Sequence, residues 1–281
     1  MTVELSIAQV VYVATQILAP ISDSAKLDAE VLLAHILGVE RVYLHTWPER
    51  KLSLLQHQQF NKLVQRRLAG EPIAYLTGYQ EFWSLNLQVT PATLVPRPET
   101  ELLVEYVLRL GQAEDALRIV DLGTGCGAIA IALAYERPHW QLTATDRSKA
   151  ALEVAKANAQ RLSLHNLIFL ESDWCQQLSG QFDFIISNPP YIASDDQHLH
   201  TVGVSFEPYS ALVAKGQGLA DLIIIMEQAR SFLKPGGHLL LEHGSEQALI
   251  VRQQLKELGY QAINTVRDLA NLERMTYALY N

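Results

Sequence analysis

The sequence predicts an α/β protein: a doubly wound, mostly parallel sheet with helices on both faces, preceded by a small helical bundle. Three observations carry this. The first eighty residues show apolar spacing at i, i+3 and i+4 with capping residues at the ends of each run. From about residue 117, short apolar runs alternate with helical patterns, as in repeated βα units. The first of those runs passes through a glycine-rich turn straight into a helix, at "VDLGTGCGAIA".

The elements follow in order. "SIAQVVYVATQILA" places Ile7, Val10, Val11, Ala14, Ile17 and Leu18 on one helical face. "SDSAKLDAEVLLAHILG" begins with candidate N-cap serines and stops at Gly38, a candidate C-cap. "SLLQHQQFNKLVQRRLAG" repeats the pattern between Ser53 and Gly70. Residues 1–75 are therefore read as a helical domain, in which no chemistry is visible and whose role is recognition or packing. Residues 76–97 mix prolines, glycine and aromatics with the alternating "LNLQV", and read as a linker with a β-hairpin. Residues 98–281 form the sheet domain. It opens with the helix "PETELLVEYVLRLG", with Pro98 near its first position and acidic residues in its first turn. Strands are expected at "LRIVDL", "QLTATD", "NLIFLE", "FDFIIS", "GHLLLEH" and within "ERMTYALY". Helices are expected at "GAIAIALAYE", at "SKAALEVAKANAQRL" capped by Ser148, at "LADLIIIMEQARSFL" and at "EQALIVRQQLKELG". The last two elements lack a helix of usual length between them, which predicts an antiparallel terminal hairpin.

Composition narrows the function classes. Hydrophobic residues make up 49% and charged ones 19% of the 281 residues, an ordinary globular balance. No apolar run approaches the roughly 20 residues needed to span a bilayer. The segment "MTVELSIAQVVYVATQ" has no basic n-region and carries Glu4 early, against a signal peptide. Cys126 and Cys175 form no CxxC pair, which argues against a disulfide framework or zinc site and fits a reducing cytoplasm. The net charge is -8; residues 1–85 hold 7 basic and 8 acidic residues, and the remainder 15 and 22. A chain that grips a nucleic-acid backbone usually shows a basic face. Lys62, Arg66 and Arg67 share one helical stretch but read as a solvated face, so no direct nucleic-acid binding and no membrane association are expected.

Four stretches carry chemistry. In residues 120–130 a strand ends at Asp121, and Gly123, Gly125 and Gly127 permit unusual backbone angles and close approach of a ligand, with Thr124 and Cys126 between them. An acidic residue at the mouth of that loop would repel a pyrophosphate and suit the ammonium of a methionine-like group; a purely structural turn is the alternative. Asp146 ends the next strand, where a carboxylate can accept both hydroxyls of a ribose or can shape the turn before "RSKAALE". Asp173 follows the third strand and could accept from an adenine amino group, beside Trp174 as a flat wall or a core residue. Three such sites at successive strand ends specify an adenosine with an aminoacyl-like tail, and S-adenosyl-L-methionine fits. The fourth stretch is "SNPPYI". An amide nitrogen is a poor nucleophile and must be held in line with a methyl donor while positive charge develops on it. The Asn188 side-chain oxygen and the Pro189 carbonyl can each accept one of its N–H groups. Pro189 and Pro190 preset the backbone, and Tyr191 can lie against a planar substrate. The methylated nitrogen can lose its extra proton afterwards, so neither an acid–base dyad nor a metal is expected.

"DLGTGCGAIAIALA" with "NPPY" resembles the class I methyltransferases that modify planar exocyclic nitrogens, which implies their seven-stranded Rossmann-like sheet. A wider pattern is similar, in order and spacing, to the bacterial peptide-chain release factor glutamine N5-methyltransferases. It comprises "GEPIAYLTGYQEFWSLNLQVTPATLVPRPETE", "ESDW", "SNPPYI", "FEPYSALVA" and "LLLEHG", and covers nearly the whole chain. The resemblance implies methyl transfer from S-adenosyl-L-methionine, leaving S-adenosyl-L-homocysteine, to the glutamine of the Gly-Gly-Gln motif of release factors one and two. It implies cofactor contacts from the Gly123–Gly127 loop, Asp146 and Trp174, with Asn188 between cofactor and substrate. It implies that Asn188 to Tyr191 hold the glutamine amide, that the N-terminal helices dock the release factor, and that Phe82 and Glu101 line the active site. Cys126 departs from the serine or threonine expected in that loop. Rival readings share the chemistry or only the ligand: an adenine-N6 methyltransferase of DNA or RNA, a methyltransferase of a ribosomal-protein glutamine, or a non-catalytic adenosylmethionine-binding protein. "VPRPETE" favours the release-factor branch by resemblance, and duplex nucleic acid would also demand base flipping.

Overall fold

A computed structural model describes residues 5–281. Glu4, used above against a signal peptide, lies outside the described residues. The chain folds as two compact units, one made by the residues up to Tyr79 together with His200–Phe206, the other by Gln80–Leu199 and Glu207–Asn281.

In the first unit, α1 (Ile7–Leu18) starts at a capping box in which Ser6 and Gln9 exchange side-chain and backbone hydrogen bonds. Of the apolar stripe read from the sequence, Ile7, Val10, Ala14 and Leu18 are buried, while Val11 and Ile17 are half-buried against the same core. Helix α2 (Ala25–Leu37) ends at Gly38, whose left-handed φ of 65° makes it the expected C-cap. Its start differs from expectation. Ser22 and Ser24 donate to the Asp28 carboxylate at 2.9 and 3.1 Å instead of capping backbone N–H groups. Arg67 also donates to Asp28, at 2.8 Å, so the acid near the helix start captures the hydroxyls. Helices α3 (Arg41–Thr46) and α5 (Ile73–Thr77) are single-turn elements too short for a periodic signal, flanking α4 (Leu54–Leu68) with its Ser53–Gln56 capping box. Ala29, Leu32, Leu33, Phe60 and Val64 join the α1 stripe in one apolar core. Each large side chain buried there contributes about 1.5–3 kcal/mol. The basic stretch on α4 is neutralised: Arg66 pairs with Glu71 and Arg67 with Asp28.

From the last residue of the first unit's N-terminal stretch into the second unit, β1 (Tyr79–Phe82) and β2 (Leu85–Gln88) form the expected hairpin. Its two turn residues, Trp83 and Ser84, have φ of 52° and 57°, the left-handed pair that a two-residue hairpin turn needs and that Asn-Gly usually supplies. The turn is held from outside. Trp83 N donates to Glu101 Oε1 at 2.8 Å, and its indole Nε1 to Glu136 Oε1 at 2.9 Å.

A single 3₁₀ turn at Pro98–Thr100 then delays α6 (Glu101–Leu110) by three residues relative to the sequence reading. The βα alternation follows: β3 (Arg118–Leu122), α7 (Ala128–Glu136), β4 (Gln141–Asp146), α8 (Lys149–Arg161), β5 (Leu167–Glu171) and β6 (Phe182–Ser187). Ser148 caps α8, accepting from Ala151 N at 3.2 Å. After β6 come the short α9 (Tyr209–Leu212), α10 (Ala220–Ala229), β7 (Leu233–Glu242), α11 (Ala248–Glu257), β8 (Gln261–Arg267) and β9 (Glu273–Tyr280). Among the described residues these strands form one seven-stranded sheet in the order β5-β4-β3-β6-β7-β9-β8. All its pairings are parallel except the two made by β9, so the expected terminal hairpin is β8–β9. Strand β8 is largely solvent-facing and bears no clean apolar alternation, which is why the sequence shows it poorly. The chain order reverses at β3 and β6, and a doubly wound sheet opens a crevice at that reversal, beyond the carboxyl ends of the strands. No described helix is long and apolar enough to cross a membrane.

Candidate active site

The crevice is a cleft lined by the loops after β3, β4, β5 and β6, with Gly123, Gly125, Asp146, Asp173, Trp174 and Asn188 on its walls. Four of the sequence-singled stretches thus meet in one place.

The loop after β3 has φ of 73°, 58° and 89° at Gly123, Gly125 and Gly127, angles that L side chains rarely adopt. A Cβ at Gly127 would come within 2.7 Å of Ile131 Cδ1 and 3.2 Å of Ala155 Cβ, so this glycine leaves room for the first turn of α7 against α8. The loop is pinned by its own bonds. Thr124 N donates to the Thr145 carbonyl at 2.8 Å and Gly125 N to Asp146 Oδ2 at 3.0 Å.

Asp121 needs a corrected position. The sequence put its carboxylate at the mouth of the loop; it lies beneath, 1% exposed, where Thr124 Oγ1 donates to Oδ2 at 2.6 Å and Oδ1 has no partner. Burial pushes its pKa up to about 7, Thr124 and the Ala130 amide draw it back, and the Asp146 charge adds to the rise. Thr124 and Cys126 are buried too. Burial pushes the Cys126 thiol up to about 12, and its carbonyl accepts from Asn158 Nδ2 at 3.0 Å, so this residue serves through its backbone.

Asp146 takes up the turn-shaping role read for it. Its oxygens accept from Gly125 N and, at 2.8 Å, from Ser148 N, which shapes the turn. A carboxylate oxygen has a second lone pair, so the same group, on the cleft wall, can still accept a ribose diol. Trp174 sits at a left-handed φ of 48°, a strained choice for a bulky residue. Its carbonyl accepts from Ser172 Oγ at 2.8 Å, its side chain lies beside Asp221, and its ring covers Gly123, where a Cβ would stand 3.3 Å from it. Asp173 accepts from Gln176 Nε2 at 3.1 Å.

At the end of β6, Asn188 Nδ2 donates to Thr100 Oγ1 at 3.1 Å, which leaves Oδ1 as the accepting end of the amide. Pro190 lines the cleft while Pro189 is buried behind it. Tyr191 and Phe82 do not stand where the resemblance put them. The Tyr191 ring packs on the apolar core, its hydroxyl donates to Glu242 Oε1 at 3.2 Å, and burial raises its pKa. Phe82, only 1% exposed, is a buried strand residue and not part of the lining. Glu101 holds the hairpin turn.

Sequence reasoning missed Thr100, Glu242 and Glu207. Glu207, its side chain 1% exposed, accepts from Val95 N at 3.0 Å and pairs with Arg97. It thereby ties the segment bearing Thr93 and Leu94 to that bearing Pro208 and Ser210, the remaining walls of the cleft. Their signals, "VPRPETE", "FEPYSALVA" and "LLLEHG", stood out only as pattern, because each pairs with residues far along the chain.

The sheet order and strand-end cleft are those of the adenosylmethionine-dependent methyltransferases. The fold is shared with a 16S rRNA N2 G1207 methyltransferase from Thermus thermophilus, solved with AdoMet and guanosine (TM-score 0.55, 18% identity, 72% of this chain and 50% of that one). A methyltransferase from Pyrococcus furiosus is similar to the same degree (TM-score 0.54, 19% identity, 76% and 96%). Residues 98–217 match the methyltransferase small domain family, and residues 9–78 the PrmC N-terminal domain. Proteins named release factor glutamine methyltransferase are 52% identical over 92% of this chain and 91% of its relative in Shewanella oneidensis. The figures are 50% over 92% and 94% in Escherichia coli, and 46% over 98% and 99% in Coxiella burnetii. The chain belongs to the release factor glutamine methyltransferase family.

Proposed function

We propose that the protein transfers a methyl group from S-adenosyl-L-methionine to the side-chain nitrogen, N5, of the glutamine in the Gly-Gly-Gln motif of release factors one and two. The observation that carries this reading is Asn188, held by Thr100 at the head of a cleft whose other walls suit an adenosine. The donor, when bound, supplies a sulfonium methyl: the amide nitrogen pair forms the new C–N bond as the C–S bond breaks, leaving S-adenosyl-L-homocysteine.

The residues divide the work. Gly123 and Gly125 let a ligand approach the loop backbone, Asp146 accepts the ribose hydroxyls, and Trp174 with Asp173 receives the adenine. Asn188 Oδ1 and the Pro189 carbonyl accept the two N–H groups of the glutamine amide. Their negative dipoles face the nitrogen as it becomes cationic, and the Pro189–Pro190 backbone holds them in place before substrate arrives. The nitrogen then releases its extra proton to water. Asp121 stabilises the loop from below, Tyr191 supports the motif through Glu242, and Phe82 packs. Residues 1–75 dock the release factor, and the pairing of Arg66 and Arg67 with acids argues against a phosphate-binding role for that surface. The decisive experiment incubates the protein with donor and intact release factor and reads fragments by mass spectrometry. One added methyl on the Gly-Gly-Gln glutamine supports the reading; methyl appearing only in DNA, rRNA or a ribosomal protein refutes it.

A further inference from the structure

Behind the Asn188 corner lies a buried carboxylate that the methyl transfer itself does not use. Glu242 closes β7 and is 1% exposed. Its Oε1 accepts from the Tyr191 hydroxyl at 3.2 Å, Oε2 is a buried oxygen with no hydrogen-bond partner, and the Thr100 hydroxyl lies close enough to the carboxylate to draw its pKa down.

The direction of these bonds follows from their chemistry. An ionised carboxylate only accepts, so a proton shared between Thr100 and the unpartnered Oε2 comes from Thr100. Thr100 Oγ1 is then left to accept from Asn188 Nδ2, the 3.1 Å bond observed. An amide whose nitrogen is committed inward turns its oxygen the other way. We propose that Glu242 and Thr100 are positioning residues, a hydrogen-bond relay that sets the polarity of the Asn188 amide so that Oδ1 faces the substrate nitrogen. The proposal rests on the reading of Asn188 as an acceptor for a primary amide. A group at 242 that can donate reverses the chain. It gives a proton to Thr100 Oγ1, Thr100 gives its own to Asn188, and the flipped amide turns N–H against the N–H of the substrate.

The relay is therefore sensitive to the charge on Glu242. Burial pushes its carboxyl up to about 7 and nearby Glu99 adds to the rise, while Thr100, Tyr191 and Arg274 draw it back. Above that pH the carboxylate accepts and the relay holds; below it the protonated acid can donate and the relay fails.

The test uses the full chain with Glu242→Gln, Thr100→Ser and Thr100→Val. With 15N-asparagine labelling, the Asn188 side-chain amide signal, assigned by its loss in Asn188→Ala, should titrate near pH 7 in the wild type. It should lose that titration in E242Q. On release factor, kcat should rise with pH through the same range. E242Q should lower kcat at pH 8 tenfold or more, while donor affinity stays within twofold. T100S should keep most activity and T100V should match E242Q. If E242Q fails to fold, the T100S and T100V pair carries the same comparison. An Asn188 signal indifferent to pH and to residue 242, or wild-type kcat in T100V, overturns the relay. A wild type that methylates no release-factor glutamine overturns the proposed function instead, and the amide signal still decides the relay.

Discussion

Replacing Asp121 with asparagine probes the cost of burying an acid under the glycine loop. Its carboxyl has a pKa of about 7 in the folded chain, against an ordinary value of 3.8. The sign follows from proton counting. Between those two values the folded state holds a proton that the unfolded state has lost, so stability is highest at low pH and falls as pH rises. The slope approaches 1.36 kcal/mol per pH unit near pH 5 and halves at pH 7. Integrated from pH 5 to pH 8, the wild type loses about 2–3 kcal/mol through this one group. Asp121→Asn cannot titrate and should lose that component. Urea unfolding of both proteins at pH 5, 6, 7 and 8 gives two stability curves. Their difference isolates Asp121 from Glu242, which titrates in the same range in both. The absolute stability of the variant does not enter, because any fixed cost of the amide shifts its whole curve. Parallel curves from pH 5 to 8 would refute the account of Asp121 as a desolvated acid.

Three further outcomes are expected. Asn188→Ala should leave donor binding within a few-fold by calorimetry while kcat falls about 10²–10³-fold, the range for loss of one preorganised polar group; an equal loss of both would make Asn188 chiefly a donor ligand. Trp174→Ala should weaken donor binding about tenfold, since a face of ring contact is worth about 1–1.5 kcal/mol, with kcat at saturating donor little changed; unchanged donor affinity would remove Trp174 from the binding wall. Glu207→Gln should lower unfolding free energy by roughly 2 kcal/mol, less than the 3–5 of a fully buried pair because Arg97 is 37% exposed. It should also raise the KM for donor as the two tied segments loosen, and wild-type KM with wild-type stability would show that the tie does not shape the cleft.

Much of the fold was legible in the residues themselves. The α1 stripe, the Gly38 and Ser148 caps, the strands β3 to β6 and the switch-point loops lie where periodicity and turn chemistry put them, whereas α10 stops at Ala229 and β7 begins at Leu233, four residues before the expected Gly237. The misses have local causes. Ser22 and Ser24 bond a side chain that the sequence could not show to be within reach. Trp83 and Ser84 make a turn that propensity alone assigns to Asn-Gly, because Glu101 and Glu136 hold it from outside. Tyr191 and Phe82 were placed by pattern, whereas their apolar rings are drawn to the core.

By itself the sequence determined the αβ alternation, the glycine loop, the strand-end acids and the rigid Asn-Pro-Pro corner, because each is a local choice among backbone angles, caps and apolar spacing. Only the tertiary structure decided which groups face the cleft and which lie behind it. Asp121 and Asp146 are both strand-end aspartates, yet one is sealed under the loop and the other lines the wall. Thr100, Asn188 and Glu242 are far apart in the chain and meet only where the sheet brings the ends of β6 and β7 beside the turn that starts α6. Side-chain polarity and charge depend on those neighbours, and they are brought together by the packing of the sheet, not by spacing along the chain.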